Sequence, residues 1–166
     1  MEQSVQKGSM PSVPVLMCAA PGYDPSFRVD QLVKKLGNRK YEPVAIGSQE
    51  SYKRADKAIE AAASRGSWVL LKNVHLAPRW LSQVEKKINR LKPHKNFKLF
   101  LTMEFNPKVP TTLIRESSTF VFEPPDGIKA SMSRTFRSVL DVDSTNKQPV
   151  ERSRLHFMLA WLHAVI

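Results

Sequence analysis

The sequence predicts an α/β fold, a three-layer sandwich built on a five-stranded parallel sheet. Three observations carry that prediction. Short continuous apolar runs (VPVLMC, WVLL, FKLFLT) have the composition of strands buried on both faces. Stretches with apolar residues at i, i+3, i+4 and i+7 lie between them and have the period of helices. The two kinds alternate through short loops marked by Gly and Pro, which requires parallel strands joined by crossover helices.

The first strand is expected over residues 13–18. Asp24-Pro25 then offers an N-cap and a proline at the first helical position. Val29, Leu32, Val33 and Leu36 give the helix its apolar face, and Gly37 its stop. A weaker strand follows over 41–46, where Pro43 argues for a sheet edge or an early strand position. An Ala-rich helix over 52–65 is closed by Gly66, and the clearest buried strand spans 68–71. Trp80, Leu81, Val84, Ile88 and Leu91 form an amphipathic helix ended by Pro93. Another buried strand covers 97–102, then a short helix 111–116 and a fifth short strand at 120–122. Ile128, Met132, Phe136 and Val139 supply the last helix of the series.

Residues 1–12 read as a polar leader or linker, 13–140 as one α/β subdomain, and the aperiodic DVDSTNKQPV at 141–150 as a second linker. The remaining residues, 151–166, turn apolar almost all round, so a helix there needs burial and opens a second, helical subdomain.

Composition narrows the function classes. The chain has 166 residues, enough for a real core, and its 42% apolar and 25% charged content fits a globular domain. The single cysteine, Cys18, excludes a disulfide framework and a cysteine-based zinc site, and fits a reducing, intracellular home. No apolar run approaches the roughly 20 residues of a membrane span, and the start lacks a signal-peptide core. The net charge of +11 resides entirely in residues 28–98, which hold 17 basic and 6 acidic residues. A solvated helix face is one reading and a polyanion stripe another. A basic nucleic-acid-binding α/β domain is therefore the alternative function, supported by charge alone. No aromatic residues interleave the cations, as a single-strand platform requires.

The first strand-turn-helix is where P-loop proteins keep their nucleotide. Their motif, G-x-x-x-x-G-K-[ST], aims backbone N–H groups at phosphate, with Lys for charge and Ser/Thr for Mg²⁺. Here Ala19 stands at the first Gly, Asp24 at the second and Pro25 at the Lys; Gly22 lies within the loop, and of the motif Ser26 alone survives. Pro25 removes both an ammonium and an N–H. Asp24, as cap of the following helix, puts a carboxylate where a phosphate oxygen would sit. A plain capped turn unrelated to P-loops explains this segment equally well. The third strand tilts the balance. P-loop ATPases end it in Asp-Glu, for Mg²⁺ and for the attacking water, whereas WVLL here ends in Lys72-Asn73. An ammonium does not bind Mg²⁺ and an amide is no general base.

The stretch Gly66 to Leu76 (GSWVLLKNVHL) resembles the GxWVxLxNxHL run of dynein heavy chains. Phe100-Leu101-Thr102, then Phe122-Glu123-Pro124-Pro125 and Gly127-Ile128-Lys129-Ala130, resemble the LFLT and EPPxGxKAN runs of the same region, although Ser131 stands where that family often has Asn. Pro21-Gly22 and Asp24-Pro25 match its altered loop. Together these resemble the sixth AAA+ module of the dynein motor ring, in its cytoplasmic form. The resemblance implies a catalytically silent large subdomain with no bound cofactor, followed by the first helix of a small one. Its partners would be the neighbouring modules and the C-terminal region of the same chain, and its setting the cytoplasmic cytoskeleton. ATP hydrolysis would belong chiefly to the first module, and microtubule contact to a stalk elsewhere in the parent chain.

By the same resemblance Thr102, Glu104 and Asn106 lie where AAA+ proteins place a γ-phosphate sensor; with no phosphate to sense, a loop role is expected. Arg115 lies near the place of an arginine finger, as an inter-module contact or a surface ion pair. Lys72 is a candidate ion-pair partner for Asp24, with a solvated lysine as the alternative. His75, His94, His156 and His163 lack metal-ligand spacing and read as ordinary core or surface histidines.

Overall fold

The computed structural model describes residues 13–21, 23–36, 41–123, 127–138 and 149–165. It divides into two compact units, 1–122 and 123–166.

In the first unit the strands are β1 (Val15–Ala19), β2 (Tyr41–Ala45), β3 (Trp68–Lys72), β4 (Lys98–Glu104) and β5 (Ser118–Phe122). The helices are α1 (Ser26–Lys35), α2 (Gln49–Arg65), α3 (Pro78–Arg90) and α4 (Thr111–Glu116), with a 3-10 turn at Val74–Leu76. The sheet is wholly parallel in the order β2-β3-β4-β1-β5. Pro43 accordingly sits in an edge strand.

Side chains alternate between the two faces because the strand period is two. Leu16, Cys18, Val69, Leu71, Leu99 and Leu101 pack with Ala55, Ile59 and Ala62 of α2, Leu81, Val84 and Ile88 of α3, and Leu113 of α4. Val15, Met17, Trp68, Leu70 and Phe100 face the other way, onto Val29 and Leu32 of α1. Each such large side chain contributes about 1.5–3 kcal/mol on burial. Helices on both faces of one sheet make the predicted three-layer sandwich.

Several boundaries differ from expectation, each through local hydrogen bonding that periodicity does not register. α2 starts at Gln49 rather than 52 because Ser48 caps it: Ser48 Oγ accepts from Ser51 N–H at 3.3 Å, while Ser51 Oγ accepts from Ser48 N–H at 3.0 Å. α3 starts at Pro78, whose missing N–H costs nothing at a helix start. Lys87 joins α3 to α2 through Glu60 (2.9 Å) and Asp56 (3.2 Å), partly exposed pairs of about 0–1 kcal/mol each. The expected stop at Gly37 and most of the linker at 141–150 lie outside the described residues.

The second unit holds α5 (Ile128–Ser138) and α6 (Val150–Val165). The sequence pattern groups α5 with the α/β series, whereas in the structure it groups with α6. Phe136 meets Phe157 at 6.4 Å between ring centroids, and Ala160 is fully buried. The burial expected for α6 is met along one seam only. One neighbouring helix covers one seam, so Leu155, Met158, Leu159, Trp161 and Leu162 are each at least half exposed. No described helix is long and apolar enough to cross a membrane.

Gly66 ends α2 with φ +73°, its N–H on Ala62 O at 2.8 Å, and a Cβ there would collide with the His94 imidazole. Gly66→Ala should therefore cost about 1–3 kcal/mol, read as a lower urea midpoint with unchanged m. Tyr41 Oη donates to Asp30 Oδ1 at 3.0 Å, and burial, then this bond and the Asp30 charge, push the phenol above its ordinary range. The folded state thus favours the protonated phenol. The stabilisation is complete below the ordinary tyrosine pKa near 10 and is lost as pH rises further. An alkaline absorbance titration should show a late phenolate component that Tyr41→Phe removes.

Candidate functional site

In an open parallel sheet, ligands sit beyond the strand C-termini where the connection order reverses. That point here lies between β1 and β4, neighbours that are not consecutive in the chain. A cleft of about 210 Å³ opens there, lined by Tyr23, Asp24, Pro25, Asn73, Thr102, Met103 and Glu104. It is smaller than the roughly 300–1,000 Å³ of ordinary small-molecule pockets. Its lining carries two carboxylates and neither Lys nor Arg.

β1 ends at buried Ala19, and Tyr23 N–H closes a turn on Ala20 O at 3.1 Å. Gly22 lies outside the described residues. The Tyr23 ring is held between Phe27 and Phe122, at 6.3 and 6.4 Å. The cap differs from expectation. Pro25 itself occupies the cap position with φ −79° and ψ −1°, and its side chain caps nothing. The helix proper begins at Ser26, so Asp24 stands one residue too early to reach Phe27 or Arg28, and Arg28 N–H goes to Pro25 O at 3.0 Å. Asp24 makes an Asx turn instead. Its Oδ1 accepts from Ser26 N–H at 2.9 Å, and its Oδ2 accepts from Ser26 Oγ–H at 2.6 Å. Ser26, 3% exposed, thus commits both its amide and its hydroxyl to a neighbouring carboxylate.

The end of β3 is built by the turn that follows it. Asn73 takes φ 59° and ψ 41°, a left-handed conformation that Asn tolerates better than most residues. Its N–H donates to Thr102 Oγ1 at 3.2 Å. Glu104 N–H donates to His75 Nδ1 at 3.1 Å, and Asn106 Nδ2 donates to His75 O at 3.2 Å. Asn106 Oδ1 also accepts from Lys108 N–H at 2.9 Å. Thr102 and Asn106 therefore clamp the 73–76 turn onto the end of β4 and the loop after it. The sequence gives no hint of His75 as the centre of that clamp, because its partners lie about thirty residues away along the chain.

The suggested pair of Lys72 with Asp24 does not form: among the described residues Lys72 makes no ion pair, and it does not line the cleft. The Asp24 carboxylate is instead engaged by Ser26, and the register of β3 brings Asn73 to the cleft. Arg115 is exposed at the end of α4. Among the described residues no His, Cys, Asp and Glu group could hold a metal ion. The cleft offers carboxylates, an amide and a hydroxyl.

The Asx turn makes a direct prediction. Asp24→Ala should lower stability by about 0.5–2 kcal/mol, the range of a lost helix-start bond, and Asp24→Asn, which keeps an acceptor at Oδ1, by less. Chemical denaturation of the three proteins checks the order.

Comparison with known proteins gives the family. The model of the family described as "Dynein heavy chain region D6 P-loop domain" matches residues 10–121. The cytoplasmic dynein heavy chain of Paramecium tetraurelia is 58% identical over all 166 residues, and that of Drosophila melanogaster 52% identical over 93% of this chain. The cytoplasmic dynein 2 heavy chain 1 of Chlamydomonas reinhardtii is 37% identical over 98% of it. The chain spans 3–4% of the length of these relatives. With the switch-point cleft, the parallel five-stranded sheet and a family match over most of its length, the chain belongs to the dynein heavy chain D6 P-loop domain family.

Proposed function

We propose that this chain is a catalytically silent ring module of a microtubule-based motor ATPase, the sixth AAA+ module of a cytoplasmic dynein heavy chain. One observation carries the reading. Ser26 is the surviving residue of the phosphate-loop pattern, and both its polar groups are taken by Asp24. A phosphate at this helix start would have to displace a carboxylate that already satisfies the first N–H, and Mg²⁺ would lose its hydroxyl ligand. Asn73 at the end of β3 supplies neither a metal ligand of the Asp type nor a general base.

On this reading the module uses no cofactor and contributes rigidity. The 73–76 turn, pinned to β4, replaces a nucleotide as the element that holds the strand ends together. Its partners are the adjacent AAA+ modules and the C-terminal region of the parent chain, with Arg115 available for contact with a neighbour. The α6 helix then belongs to the helical small subdomain. The parent chain hydrolyses ATP elsewhere, and works on the cytoplasmic cytoskeleton. Charge alone favours a nucleic-acid role, and no feature of the cleft adds to it.

Titration calorimetry of the chain with Mg-ATP tests the proposal. No binding tighter than about millimolar is expected, a free energy of roughly −4 kcal/mol. A micromolar dissociation constant would overturn it.

A further inference from the structure

We propose that the groove at the start of α3 is a docking site for an acidic peptide segment with an apolar anchor, supplied by another polypeptide. The groove encloses about 860 Å³, against about 210 Å³ for the strand-end cleft. Its apolar part is a stacked pair, Tyr52 on Trp80 with centroids 5.3 Å apart, beside Leu76. Leu76 is 57% exposed, although its turn is fixed by the Thr102, Glu104 and Asn106 bonds. A leucine held rigidly in water is a preformed contact, since little further ordering is needed when it is covered.

The polar character of the groove is one-sided. Arg79 and Lys108 line it, and no Asp or Glu does. Ala77, at the cap of α3, offers no acceptor to the helix start, and the first turn has no acidic residue. The cations and the uncapped helix start favour an incoming carboxylate, while the Leu76 and Tyr52–Trp80 surface favours an aliphatic or aromatic side chain beside it. That combination defines the occupant.

The test uses a fluorescein-labelled peptide in which blocks of Glu and Asp flank a central Leu-Phe pair, followed by anisotropy at physiological ionic strength. Saturable binding is expected. It should weaken about tenfold or more with Arg79→Glu plus Lys108→Glu, and likewise with Leu76→Ser. A peptide with every carboxylate changed to amide should lose as much. All three positions are exposed, so circular dichroism melts should match the parent and separate lost binding from lost folding. Equal affinity for parent and variant chains would overturn the proposal. So would a duplex oligonucleotide that binds more tightly than the peptide and loses affinity with the same variants, or self-association abolished by Leu76→Ser. None of these outcomes depends on whether Mg-ATP binds.

Discussion

Asp24 reaches forward past Pro25 to hold Ser26 by its amide and its hydroxyl, and this Asx turn sets the character of the strand-end cleft. A helix start at the switch point of a parallel sheet is a generic anion site, because its first N–H groups point outward with the positive end of the helix dipole. A carboxylate tethered two residues away meets that demand at high effective concentration. Any free phosphate would compete with a partner that is always present. Here the first helical N–H is satisfied from within the turn.

The second half of the cleft follows the same logic. Left-handed Asn73 turns the chain sharply after β3, and β4 and the loop after it supply the bonds that fix it: Thr102 through its hydroxyl, Glu104 through its backbone and Asn106 through its amide. His75 accepts the Glu104 N–H at Nδ1. Fixing that turn also fixes Leu76 and the start of α3.

Much of the fold was legible in the amino-acid order. Pro43 suggested an edge or an early strand position, Gly66 a helix end, and the continuous apolar runs WVLL and FKLFLT gave buried parallel strands, since each depends on local geometry or local composition. Of the cleft lining, Asp24, Pro25, Asn73, Thr102 and Glu104 were singled out in the sequence, Tyr23 and Met103 were not, and how they bond was not legible. Asp24 and Ser26 were singled out, but whether a carboxylate caps the third residue or the second depends on the conformation of the intervening proline. The His75 clamp joins residues far apart in sequence, and the Lys72–Asp24 pair failed because β3 places Asn73, not Lys72, at the cleft. The grouping of α5 with α6 was invisible to periodicity, which says that a helix has an apolar face and not what it faces.

Backbone amide NMR gives the most direct test of the claim that the cleft is already satisfied. The Ser26 and Asn73 N–H groups donate to Asp24 and Thr102, so their resonances report any displacement of those acceptors. Titrating the chain with Mg-ATP should leave both cross-peaks in place, while Asp24→Gly should render Ser26 responsive to pyrophosphate. Saturable movement of the Ser26 and Asn73 cross-peaks in the unaltered chain would contradict the account.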